Sequence, residues 1–157
     1  ENVTGIAAFG AAAKEGYANL SVSMPRVSAL RDLCEKMICD GNMGIAINKP
    51  LGARAGHILS ITLPKIKSQT MLNFLSAKGI YVSSGSACAL GAKSHVLAAM
   101  GYDSARIDSA ARISFGRDTE KEDICHVYAL HYRIGGAVRE IGVSDAVLFR
   151  ALCSACG

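Results

Sequence analysis

The sequence contains no tryptophan, three prolines among 157 residues, and aromatic side chains at 6% of positions. It also has no run of five or more charges of one sign, although Lys and Arg outnumber Asp and Glu by 17 to 13. Because a basic surface for nucleic acid needs clustered positive charge, we expect no nucleic-acid partner. The longest stretch free of Asp, Glu, Lys and Arg is residues 79–92, which is too short to cross a membrane. We therefore expect no membrane-spanning helix.

Half of the residues are hydrophobic, which is enough for one domain with a real core. Six cysteines are too few and too irregularly spaced for a small secreted disulfide framework, so we expect a reducing, cytoplasmic location. The N-terminus has no initiator methionine and no basic segment before an apolar stretch. This predicts that the chain begins inside a longer protein and carries no signal peptide.

Apolar and small residues at helical spacing predict a helix over 3–20. A second helix is predicted from Ser23 to Gly41, with Pro25 in its first turn. Its predicted inward positions are Val27, Leu30, Cys34 and Met37.

Four short strands are predicted, at 43–48, 58–63, 80–82 and 111–115. Helices are expected at 68–79, where Ser68 is the predicted cap, and at 95–100, where Ser94 is the predicted cap. Thr119 and Glu122 have the spacing of a capping box, which would open a closing helix of about five turns. Together these elements predict an α+β fold with a short antiparallel or mixed sheet covered by helices.

The stretch 78–92 is the most informative part of the sequence. A predicted strand at 80–82 is followed by five small residues and then a cysteine: Ser83, Ser84, Gly85, Ser86, Ala87 and Cys88. Small residues leave space for a second molecule to approach the sulfur. Hydroxyls and loop amides can hydrogen-bond a thiolate and lower its pKa below the free value of about 8.5. The pattern favours a nucleophile over a cysteine that only fills space in a core.

The order of these motifs resembles the C-terminal part of pyridoxal-phosphate-dependent cysteine desulfurases, in the class V branch of the aminotransferase superfamily. The resemblance runs from Glu1 to about Gly142. Its most specific part is residues 83–88, which match the active-cysteine loop of that family. Residues 94–101 and 111–116 resemble the helix after that loop and the strand that bears the substrate-binding arginine.

The resemblance implies that residues 1–142 form the small C-terminal domain of a fold-type I enzyme, between a long linking helix and a long closing helix, followed by a tail, 143–157, of unknown role. It implies that L-cysteine is converted to L-alanine, with the sulfur held on Cys88 as a persulfide. Arg112 would bind the substrate carboxylate through a planar two-point contact. The parent would be a homodimer that passes the sulfur to an acceptor protein, in iron-sulfur cluster assembly or in RNA modification.

The family's cofactor lysine, ring-stacking histidine and pyridine-binding aspartate belong to a large N-terminal domain that these 157 residues do not include. We therefore expect no cofactor-binding residue and no metal site in this chain, and we expect the chain alone to bind no pyridoxal phosphate and to be inactive. His57 and Ser60 stand where the family usually has asparagines, which leaves the hydrogen bonding of that strand open.

Two alternatives remain open from the sequence. One is a selenocysteine lyase or another class V relative, which the thiol loop does not distinguish from a desulfurase. The other is a non-enzymatic thiol or zinc-binding module that uses Cys153 and Cys156 together with Cys34 and Cys39. The last two are five residues apart and would point about 140° away from each other on a helix, which disfavours a shared metal.

Overall fold

The computed structural model describes residues 1–41, 44–85 and 93–125. Within these ranges the elements are α1 (Val3–Asp40), β1 (Ala46–Ile47), β2 (Ile58–Thr62), α2 (Ser68–Ser76), α3 (His95–Ala99), α4 (Ser104–Asp108) and β3 (Ala110–Ser114). A further helix begins at residue 121, and its residues 121–125 are described. No helix in these ranges combines the length and the apolar character needed to span a bilayer.

The N-terminal part of the chain forms one helix of 38 residues, where the sequence predicted two. The side chain of Asn2 caps its start by accepting a hydrogen bond from the N–H of Gly5 at 2.9 Å. Pro25 lies inside the helix and has no N–H to donate to the carbonyl four residues earlier, yet the helix continues through it. The end at Gly41 was predicted correctly, and its N–H donates to the carbonyl of Met37 at 3.0 Å.

The two halves of α1 are buried very differently. The apolar residues of the first half are exposed in the described structure; the large ones include Val3, Ile6, Tyr17 and Leu20. The second half packs as predicted, with Met37 partly buried and these residues in the core: Val27, Leu30 and Cys34.

The sheet has the order β1-β2-β3, and both neighbouring pairs are antiparallel. Leu59 lies opposite Ile113 and is buried with it, so one face of the sheet packs into the core with α1 and α2. This confirms the strand predicted at 58–63 and the α+β class. The buried apolar partners from the two helices are Val27, Leu30, Ile38, Met71 and Leu75.

The predicted strand at 80–82 is not formed. Ile80 and Val82 are partly buried against the core and Tyr81 is exposed, but pairing begins only at Ser83, which forms an isolated bridge with Arg112. β1 is also shorter than predicted, and residue 43 lies outside the described ranges.

Two predicted helix caps differ from those observed. Ser68 is the first residue of α2 and its cap position is Lys67, which makes no side-chain cap bond. The predicted capping box is displaced by one residue, because the Asp123 carboxylate accepts from the N–H of Glu120 at 2.9 Å. Thr119 instead accepts from Gly116 at 2.9 Å. Ser94 caps α3 as predicted, and the closing helix beyond residue 125 lies outside the described residues.

Gly56 lies where the loop after β1 crosses α1. A Cβ at this position would overlap Ser28 Oγ and would lie 3.2 Å from Met24 Cε, whereas a Cβ at Gly52, in the same loop, would meet nothing within 4 Å. We expect Gly56→Ala to lower the free energy of unfolding by about 1–3 kcal/mol through overpacking. Gly52→Ala is the control and should not lower it.

Urea denaturation of the two variants measures this difference. Adding Ser28→Ala to Gly56→Ala should restore part of the loss, because it removes the overlapping hydroxyl. Equal midpoints for Gly56→Ala and Gly52→Ala would contradict the contact.

Candidate functional site

A cavity of about 410 Å³ lies over the other face of the sheet. Its floor is formed by β2 and β3, one wall by the loop 50–55, and another by the start of α3. Ser84 and Gly85 complete the described lining. The cavity therefore brings two predicted site segments, 83–85 and the strand bearing Arg112, into one place.

The Arg112 guanidinium has no hydrogen-bond acceptor or carboxylate partner within the described ranges. The other five described arginines each have at least one such partner: Arg26, Arg31, Arg54, Arg106 and Arg117. Arg112 is exposed, lines the cavity, and has no Asp or Glu beside it in the described lining. Its planar set of donors is thus available to an external anion such as a carboxylate.

The backbone of Arg112 is joined to the start of the predicted cysteine loop. Its N–H donates to the carbonyl of Ser83 at 2.6 Å, and the N–H of Ser83 donates back at 3.1 Å. The Ser83 hydroxyl also donates to the carbonyl of Gly85 at 2.8 Å, which fixes the first turn of the loop. This pairing is the reason that the described part of the loop lies beside the arginine.

Three predicted loop residues, Ser86, Ala87 and Cys88, lie outside the described residues. The residues on either side of the undescribed segment 86–92 are Gly85 and Lys93, and both line the cavity. These two described residues therefore lie at the same site.

An ion-pair cluster attaches the loop 50–55, which forms one wall of the cavity, to α1. The carboxylate of Glu35, which is 9% exposed, pairs with Arg54 at 2.5 Å and with Lys49, and Arg54 also reaches Asp32 at 3.2 Å. Arg31 of α1 donates to the carbonyl of Ala55 at 3.1 Å. The sequence analysis missed this cluster. The available signal was two acidic residues three apart on a helix and two cations flanking a loop.

The pKa of Glu35 reflects the cluster. Burial by itself would raise the pKa, but the hydrogen bonds and charges of Lys49 and Arg54 together outweigh burial and hold the pKa below its ordinary value. Glu35 is thus ionised when the loop is in place.

A second polar network links β1, β2 and α4. Asn48 is 5% exposed, and its amide nitrogen donates to Ser60 Oγ at 3.1 Å and to Thr62 Oγ1 at 3.0 Å. Its amide oxygen accepts from Arg106 Nε at 2.8 Å, and Arg106 lies over the ring of Tyr102 at 4.1 Å. Ser60, which stands where the family usually has an asparagine, is therefore hydrogen-bonded to Asn48.

Two cysteines of the alternative metal module, Cys34 and Cys39, lie within the described residues. Cys34 is buried, and burial together with the charge of Glu35 raises the pKa of its thiol to about 12. Cys39 is exposed, on the side of α1 away from the core. Within the described residues, no group of three or more His, Cys, Asp and Glu could hold a metal. Cys153 and Cys156 lie outside those residues.

The profile of the aminotransferase class-V family matches residues 1–127, which is most of the chain. The chain therefore belongs to the aminotransferase class-V family.

Its curated relatives include cysteine desulfurases. It is 32% identical to "Cysteine desulfurase IscS" of Anaeromyxobacter sp. (strain Fw109-5), covering 82% of this chain and 32% of that protein. It is 30% identical to "Cysteine desulfurase" of Rhodobacter capsulatus, covering 92% of this chain and 38% of that protein. The crystal structure of a NifS-like protein from Rickettsia africae superposes with a TM-score of 0.75 at 29% identity, covering 85% of this chain and 35% of that one. The chain thus spans about a third of the length of these relatives.

The family implies pyridoxal phosphate in the full-length enzyme. The described lining of the cavity contains one lysine, Lys93, whose Nζ lies 3.4 Å from the carboxylate of Asp108. It contains no carboxylate that could face a pyridine nitrogen. The described residues therefore do not fit a complete cofactor site, which needs a free lysine amine and an acidic partner for the ring.

The ion-pair cluster predicts a pH-dependent effect of Glu35→Gln. Because the folded pKa is lowered, the carboxylate contributes stability that is fully present above the ordinary pKa of about 4.3 and lost as the pH falls through the folded value. We expect the variant to be less stable than the wild type by about 1–3 kcal/mol near neutral pH, and the difference to shrink as the pH is lowered below the ordinary pKa of about 4.3.

Urea midpoints across this pH range measure the effect. Glu122→Gln is the matched control, since Glu122 is exposed and has no ion-pair partner within the described ranges. A stability difference for Glu35→Gln that stays constant with pH would contradict the assignment.

Proposed function

We propose that this chain is the part of a cysteine desulfurase that binds the substrate carboxylate through Arg112 and carries the sulfur on Cys88. The observation that supports this most directly is the guanidinium of Arg112, which has no side-chain partner among the described residues and lies in a cavity whose described lining has no carboxylate. The backbone pairing with Ser83 joins that arginine to the loop that leads to Cys88. The names of the curated relatives support the reaction class.

In the proposed reaction the Cys88 thiolate attacks the sulfur of L-cysteine, and a new S–S bond forms as the Cβ–S bond breaks. The bonding electron pair leaves with Cβ, which then takes up a proton to give L-alanine, and the sulfur remains as a Cys88 persulfide. Pyridoxal phosphate, held by the rest of the parent protein, would supply the electron sink.

This chain's own residues would orient the substrate and admit its sulfur. Arg112 would hold the carboxylate by two parallel hydrogen bonds. The small residues of the loop, Ser83, Ser84, Gly85, Ser86 and Ala87, would leave room at the thiol, and their hydroxyls and amides would stabilise the thiolate.

The remaining proposals concern the parent protein. Residues 1–142 would be its small C-terminal domain, and 143–157 a tail. We propose a cytoplasmic homodimer that passes the persulfide sulfur to an acceptor protein, with the chain alone inactive because the cofactor lysine would lie in the large domain.

Cys88→Ser in the full-length parent should abolish alanine formation from cysteine, because a hydroxyl cannot form a persulfide, while pyridoxal phosphate absorbance is retained. Cys39→Ser is the matched control, since Cys39 is exposed and does not line the cavity. Alanine release and persulfide labelling measure the outcome. A Cys88→Ser protein that forms a persulfide and turns over cysteine at the parental rate would refute the proposal.

Arg112→Lys keeps the positive charge but removes the planar set of donors. We expect kcat/KM for cysteine to fall by one to a few powers of ten, at about 1.4 kcal/mol per decade. Arg117→Lys is the control, because Arg117 is exposed and does not line the cavity. Equal kinetics for the two variants would assign Arg112 a structural role only.

A further inference from the structure

Ser60 and Arg112 face the cavity side by side. They are direct partners in the antiparallel pairing of β2 with β3, and both line the cavity. Directly opposed residues of an antiparallel pair project from the same face of the sheet, with Cβ atoms about 4.5–5.5 Å apart. A ligand held by the Arg112 guanidinium over this face would therefore lie on the same side of the sheet as the Ser60 hydroxyl.

The Ser60 hydroxyl has a hydrogen to donate. Its oxygen accepts the amide hydrogen of Asn48 at 3.1 Å, and Asn48 is itself fixed by Thr62 and Arg106. Within the described ranges, the hydroxyl donates no hydrogen bond to the protein. Because a hydroxyl offers one donor and two acceptor positions, the bond from Asn48 leaves the Ser60 O–H free to turn towards the cavity.

We propose that Ser60 is a second substrate-binding residue, which donates a hydrogen bond to the carboxylate held by Arg112, and that Asn48 is the positioning residue for its hydroxyl. This inference rests on the proposed function of Arg112. A carboxylate has about four lone-pair sites, and a two-point arginine contact occupies two of them. The bond from Ser60 would use a third and would be charge-assisted, which makes it about twice as strong as a neutral one.

The test uses the full-length parent with its cofactor and two probes, L-alanine and L-alaninamide, in which a neutral amide replaces the carboxylate. We expect Ser60→Ala to raise the dissociation constant of L-alanine about tenfold and that of L-alaninamide by less, because the neutral amide oxygen is a weaker acceptor than a carboxylate; calorimetry measures both constants. The KM for cysteine should rise by a similar factor while kcat changes little, since the lost bond is present in the ground state as well.

Two further variants separate binding from structure. Ser60→Thr keeps the hydroxyl and should restore L-alanine binding. Ser114→Ala is the matched control, because Ser114 lies one pair along on the same face of the same strand pair and does not line this cavity. Asn48 retains its bond to Thr62 in Ser60→Ala, so that variant is expected to fold.

Each outcome distinguishes this inference from the proposed function. Equal weakening of both probes, or no weakening of L-alanine, would overturn the role of Ser60 even if the parent is an active desulfurase. A parent that forms no alanine from cysteine would overturn the proposed function. The role of Ser60 would then be decided by L-alanine binding alone, where a tenfold loss supports it and an unchanged constant refutes it.

Discussion

The antiparallel register between β2 and β3 is the constraint on which the rest of the structure depends. It places Leu59 opposite Ile113 on the face that packs against α1, and Ser60 opposite Arg112 on the face that lines the cavity. Because side chains alternate along a strand, a slip of one residue would exchange the two faces and place Arg112 in the core. The apolar residues of the core thus determine where the guanidinium of the candidate site projects.

Segments distant in sequence reach this face through backbone and charged contacts. The loop start at Ser83 is attached to β3 by two backbone hydrogen bonds, and the wall at Arg54 is attached to α1 by Glu35 and Asp32. The Glu35 side chain is buried whereas those of Arg54 and Lys49 are partly exposed, so the cluster adds little net stability over an apolar replacement, but removing the cations would leave a buried carboxylate unpaired, which is costly. Its contribution here is to position the loop.

The sequence predicted those elements whose signal is local. The strand at 58–63, the Ser94 cap and the end of α1 at Gly41 were predicted correctly, because each depends on a few neighbouring residues. The break near Pro25 was predicted wrongly, since one missing hydrogen bond does not end a helix whose following residues are buried.

The site was predicted only in part, because its polar contacts join residues far apart in the chain. The resemblance of residues 83–88 and 111–116 to the cysteine desulfurase family identified Arg112 and the loop residues. No local pattern could show that Glu35 would meet Arg54, or that Asn48 would meet Arg106, 58 residues later. The strand predicted at 80–82 failed for a related reason. Its β-branched and aromatic composition suits a strand, but pairing with β3 begins only at Ser83.

Although α1 is one continuous helix, its two halves are stabilised in different ways. The core anchors residues 27–38, so their amide hydrogens exchange with solvent only when the packed layer opens. Residues 3–22 bury almost nothing within the described structure, so opening them costs only the helix–coil free energy of an isolated segment, which is small in water. Pro25, which carries no amide hydrogen, lies at the boundary between these two exchange regimes.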